Sequence, residues 1–281
     1  MNNPTYKASH LVKRRDELTA YNYAAQVANK IHSDEGAAQY GFRGALVPGV
    51  ALYGYCTQAA VRQFGIDWLD AGSISARFAQ PIYDAERITI DADPAAASLN
   101  IRLLKPDGTV STSAIASMKP MEVIDGPATA AAFEAIALPD DNKRLRPAIN
   151  SFRIGQPLGV VQFVTPRNDA ADTFARDMVD ALECYRAPLA RVHPALFLAQ
   201  ANRVLMGNIA LGPWVHTASK VQHGQRARPG QALSMRARVQ KLDEKRGHEI
   251  ITLDILVLDE SLQTVATIRH TAIIHLASKQ Q

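Results

Sequence analysis

Apolar positions along the chain fall into two similar series of elements. Leu52, Cys56, Ala59, Ala60 and Gln63 fall at three- and four-residue intervals, which predicts a mostly buried helix over 51–63. Leu198, Ala201 and Leu205 do the same over 196–207. After each helix the period changes from helical to alternating. Ile88, Ile90 and Ala92 follow a turn at 84–88, and Leu233, Met235, Ala237 and Val239 follow a turn at 229–233, as in strands with one buried face. A hairpin pattern closes each series. Leu99, Ile101 and Leu103 precede the turn Lys105-Pro-Asp-Gly108, with 115–118 returning; Ile251, Leu253, Ile255 and Val257 precede Asp259-Glu-Ser261, with 265–276 returning.

Over about 40 positions, from the start of each helix to the turn after it, the two series superpose without gaps at an offset of 145 residues, which places Pro48-Gly49-Val50 on His193-Pro194-Ala195. Between them, the Ala-rich stretch 127–138 predicts a helix, and a charged run between Pro139 and Pro147 reads as linker. The expected organisation is therefore residues 1–126 as one unit, 127–147 as connection and 148–281 as a second unit. One long apolar helix beside an antiparallel sheet, made twice, is an α+β pseudo-dimer.

Composition narrows the picture. The 281 residues match roughly two domains at about 150 residues each. With 31 Lys and Arg against 27 Asp and Glu, the charge of +4 is too mild to indicate a nucleic-acid partner, and no apolar run reaches membrane-spanning length. Cys56 and Cys184 lack metal-ligand spacing and read as reduced thiols of a cytoplasmic protein. No metal or redox cofactor is indicated. Gly-rich phosphate loops and a Gly-x-Ser-x-Gly elbow are both absent.

The segment from Val27 to Val50, with Asn29, His32, Asp34, Gly41-Phe42 and Val47-Pro48-Gly49, resembles the signature of the MaoC-like, R-specific enoyl-CoA hydratases. Ala76-Arg77-Phe78 and Pro81 to Glu86 are similar to that family's strand before its Pro-Gly-Asp turn. The resemblance implies a double hotdog, two helix-in-sheet units side by side, acting on an acyl-CoA or acyl-carrier-protein thioester. It makes His32 and Asn29 the expected catalytic residues. The family's catalytic Asp falls on Val27, Lys30 stands for its Pro, and Pro48 for its second His. Family members polarise the thioester carbonyl with the backbone N–H that opens the central helix. Gly49 keeps this donor; Pro194, its counterpart, has none, although His193 matches the family's Val-His. The site is thus expected in the first half, roofed by the second.

Other positions are expected near the ligand or as plain structure. Asp34 reads as a substrate contact or as the cap of a short helix over 35–40, which Gly41 ends. Tyr53 and Tyr55 read as ligand contacts or core. His216 and His223, seven apart on one strand, belong on opposite faces if that strand is regular; His216, beside Trp214, is the better pocket residue. Arg226, Arg228, Arg236 and Arg238 read as a basic rim for a phosphate or as a solvated face. The expected activity is hydration or dehydration at the 2,3 position. A non-catalytic acyl-binding hotdog and a hotdog thioesterase remain alternatives, and a homodimer is compatible with the chain.

Overall fold

The computed structural model describes residues 12–25, 29–186 and 190–277. In chain order the first half contributes β1 (Arg14–Thr19), α1 (Asp34–Gln39), α2 (Gly49–Phe64), α3 (Trp68–Ala71), β2 (Ser73–Phe78), β3 (Arg87–Ala95), β4 (Ser98–Leu104) and β5 (Val110–Ser117). The second contributes β6 (Pro157–Val164), α4 (Asp169–Asp177), α5 (Ala195–Asn208), β7 (Val215–His223), β8 (Ala232–Lys245), β9 (His248–Leu258) and β10 (Thr264–His275).

All ten strands form one antiparallel sheet in the order β1-β3-β4-β5-β2-β7-β10-β9-β8-β6. Read from either end, each strand meets its counterpart from the other half. The halves join where β2 pairs with β7. Ser75 faces Lys220 there, and these two residues are themselves 145 apart, so the pseudo-twofold axis runs between them.

The central helices are apolar nearly all round because the sheet wraps them. Ile88, Ile90, Ile101 and Leu103 are buried on the α2 side, and Leu233, Met235, Leu253 and Ile255 on the α5 side. Burying each such side chain contributes about 1.5–3 kcal/mol. Helix α2 stops at Gly65, whose φ of 81° is left-handed and whose N–H bonds the Val61 carbonyl.

The expected helix over 127–138 is not formed; only a 3-10 turn, Ala130–Ala132, is present. Its carbonyls are claimed by a side chain instead. Arg236 Nη1 donates to Ala130 O (2.8 Å) and Phe133 O (3.1 Å), while Phe133 packs with Val123 and Ile124 on Leu256 and Leu258. Beyond it, Ile136 bridges Gly159 of β6, and a Cβ at Gly159 would lie 2.6 Å from Leu138 Cα. The connection thus covers the outer face of the second half and part of its edge strand.

Candidate active site

A cavity of about 230 Å³ opens where the N-terminus of α2 meets the start of β7. The first half supplies Asn29, His32, Leu46, Gly49, Leu52 and the end of β2; the second supplies Asn202, Trp214 to Thr217, His248, Ile273 and Leu276. Two larger grooves, of about 780 and 450 Å³, lie open on the outer face beside the connection and gather no histidine.

His32 ends a 3-10 turn, Lys30–His32, that is tied down on both sides. Asn22 Nδ2 donates to the His32 carbonyl (2.9 Å), and Leu46 N–H donates to the Ile31 carbonyl (3.2 Å). The His32 ring lies with Nδ1 2.8 Å from the Leu46 carbonyl. A carbonyl only accepts, so Nδ1 carries the proton and Nε2 is left as an acceptor with no partner among the described residues. Burial holds this imidazole below its ordinary pKa, opposed by the Leu46 hydrogen bond, so the neutral base dominates near pH 7.

Asn29 braces the turn against the other half. Its Nδ2 donates to the Trp214 carbonyl (3.0 Å), and its Oδ1 accepts from Trp214 N–H and Ile31 N–H, each at 3.4 Å. Gly49 opens α2 over the cavity, and its N–H has no acceptor among the described residues. A Cβ on Gly49 would come within 2.8 Å of His216 Nδ1, so only glycine fits.

His216 does line this cavity, packed edge-on by Phe78 at 4.7 Å between ring centres. Its Nε2 lies 2.8 Å from Ser219 Oγ, which lies 3.0 Å from His270 Nδ1. Burial, then the nearby His270, lowers the His216 pKa well below its ordinary value, against the Ala218 backbone; burial alone takes His270 down to about 3. The expectation that His216 and His223 face opposite ways is corrected by a bulge. His216 pairs with Ala272 and Ala218 with Thr271, so Thr217 is an extra residue and the alternation slips by one.

Several expected ligand contacts lie elsewhere. Asp34 accepts from Ala45 N–H (2.7 Å) away from the cavity, and Ser33, not Asp34, caps α1 through Gly36 N–H. Tyr53 is fully buried in the core, and Tyr55 Oη accepts from Tyr21 N–H. Of the proposed basic rim, Arg236 is spent on the connection, and Arg238 reaches Asp125 O and Asp254 and covers the Phe133 ring. Val27, the position of the family's Asp, lies outside the described residues.

His193 lines neither cavity; it lies just before Pro194, beside the second half's version of the site. That cavity measures about 10 Å³, and each of its eight lining residues is the counterpart, 145 positions away, of a residue lining the open one. Gly49 becomes Pro194, Leu52 becomes Phe197, Phe78 becomes His223, and Leu46 becomes Arg191, which forms an ion pair with Asp70. The His223 ring fills the centre between Trp68 (5.1 Å) and Phe197 (6.0 Å), and burial pushes its pKa down to about 4. His193 itself accepts from Ala195 N–H at Nδ1 (3.2 Å), so its Nε2–H faces Asp180 Oδ2 at 3.3 Å. Asp180 Oδ1 accepts from Gln58 Nε2 and Leu182 N–H, which closes a buried network.

Ser219, His270, Asn202, His248 and Asp180 carry no motif, and only strand register and helix packing bring them to these places. Solved structures of similar shape now bear on the fold. A MaoC domain dehydratase from Chloroflexus aurantiacus superposes with a TM-score of 0.62 at 10% identity, over 97% of this chain and 99% of that one. RV0216 of Mycobacterium tuberculosis, a double hotdog, gives 0.59 at 15% identity over 93% and 96%. The fold is the double hotdog. The dehydratase domain of PpsC from Mycobacterium tuberculosis, solved with C12:1-CoA, also matches, with a TM-score of 0.54 at 13% identity over 94% of each chain. No family model matches the sequence, and no curated protein sequence matches it significantly. The double hotdog of MaoC-like dehydratases is thus shared at the level of shape, and the α+β pseudo-dimer expected from the repeat is the architecture found. No helix among the described residues is long and apolar enough to cross a membrane.

Proposed function

We propose that this double hotdog hydrates or dehydrates a short acyl thioester, carried on CoA or a carrier protein, at its 2,3 position. The observation that carries the reading is one cavity holding both a bare imidazole nitrogen, His32 Nε2, and an unpaired helix-opening amide, Gly49 N–H. In hydration, Nε2 takes one proton from water as its oxygen bonds C3. The electron pair moves through C2 to the thioester oxygen, where Gly49 N–H and the helix dipole stabilise the charge. The imidazolium then returns that proton to C2. Dehydration runs the same steps backwards.

A cavity of about 230 Å³ is below the roughly 300–1,000 Å³ of ordinary ligand pockets, which favours a short acyl chain. No carboxylate is among the described residues lining it, and the family's Asp position is Val27, so His32 works without that Asp. That same lack favours, as a second reading, a protein that binds acyl thioesters without turning them over. The test is loss of the enoyl-thioester ultraviolet band for a series of trans-2-enoyl-CoA chains, with a thiol reagent in parallel. The proposal expects band loss without thiol release, abolished in His32→Ala. Thiol release would indicate a thioesterase. Ligand-induced thermal stabilisation without any band loss would leave the binding reading in its place.

A further inference from the structure

Beside His32 and His216 the cavity is lined by a third histidine, His248, whose polarity is the reverse of His32. His248 opens β9, and its Nδ1 accepts the backbone N–H of Ala277 at 3.0 Å. A nitrogen that accepts cannot carry the proton of a neutral imidazole, so the proton sits on Nε2. The ring lines the open cavity, and Nε2–H has no partner among the described residues. Two backbone groups, the Leu46 carbonyl on His32 and the Ala277 amide on His248, therefore fix opposite tautomers on the two rings. One presents a bare acceptor to the cavity and the other a donor.

We infer that His248 Nε2–H binds the oxygen that joins or leaves C3, holding it for His32. Resting on the function proposed above, this makes His248 the second group on the reacting water. Water accepting from His248 and donating to His32 Nε2 keeps a lone pair free for C3. In dehydration the same N–H bonds the 3-hydroxyl and supports its developing negative charge as the C3–O bond breaks. His248 gives up no proton in either direction; the proton that moves is the one shuttled by His32. Both residues line the same cavity of about 230 Å³, where a single ligand can meet them. The second half thereby supplies a polar group at a place where the family motif, confined to the first half, lists none.

The experiment compares binding of butyryl-CoA and 3-hydroxybutyryl-CoA to the full chain, by calorimetry, beside turnover of a short enoyl-CoA. Wild type should prefer the hydroxylated ligand by about 3- to 10-fold, the range of one hydrogen bond. His248→Ala should lose that preference while holding butyryl-CoA as before. His248→Gln, whose amide nitrogen reaches the Nε2 position, should keep it; His248→Asn, which reaches only Nδ1, should not. An unchanged preference in His248→Ala, or equal weakening of both ligands, would overturn the inference. Because binding is read without turnover, a chain that binds as predicted yet hydrates nothing would sink the hydratase reading and leave the His248 contact standing.

Discussion

The two halves of this chain carry the same cavity twice, and one has been filled. At equivalent places, Leu52 leaves room where Phe197 does not, Gly49 offers an N–H where Pro194 has none, and Leu46 accepts from His32 where Arg191 meets Asp70. Even the histidines divide along this line. His32 keeps a free nitrogen, whereas His193 is enclosed by Ala195, Asp180, Tyr185 and Phe174. The difference teaches that a pseudo-dimer can keep symmetric strands while leaving one mouth open and packing the other shut.

The largest effect expected from breaking this contrast is at His32. His32→Ala should lower turnover by about 100- to 10,000-fold, the usual share of a positioned acid–base group, with an unchanged circular dichroism spectrum. The matching change in the closed half, Phe197→Ala, should instead cost stability of about 3–5 kcal/mol by denaturant titration and leave turnover per folded molecule near wild type. Gly49→Ala joins the two kinds of effect. Its Cβ would press on His216, so a stability loss of about 1–3 kcal/mol and reduced kcat/KM are expected together.

Acid should act on both halves at once. His216, His223 and His270 are buried neutral, with folded pKa values below their unfolded value of 6.5, to about 4 for His223 and about 3 for His270. Between those limits the unfolded chain binds more protons than the folded one, so stability rises with pH there. Melting temperatures should be level above pH 6.5 and fall steadily toward pH 4. Replacing His223 by a similar-sized apolar residue should flatten that fall by one group's share without changing the open cavity, a smaller effect than any above.

Much of the fold was legible because the repeat is written in side-chain periods. Leu52 to Gln63 and Leu198 to Leu205 carry helical spacing, and Leu233 to Val239 alternate through β8. The connection forms no long helix because Ala-rich composition speaks only of local propensity, whereas Arg236 and the contact at Gly159 act from far along the chain. The site was half legible. Asn29, His32 and Gly49 lie within one motif, and His216 has a telling neighbour in Trp214. The bulge at Thr217 has no local signal, so the common facing of His216 and His223 could not be read. His248 is placed by a bond to an amide 29 residues on, which no spacing rule anticipates.

The asymmetry itself is tested most directly by titrating a short saturated acyl-CoA into the wild-type chain and into Leu52→Phe, which copies the closed half's residue into the open one. One ligand bound per wild-type chain and none in Leu52→Phe is the predicted result. Two ligands per chain, or undiminished binding in Leu52→Phe, would contradict it.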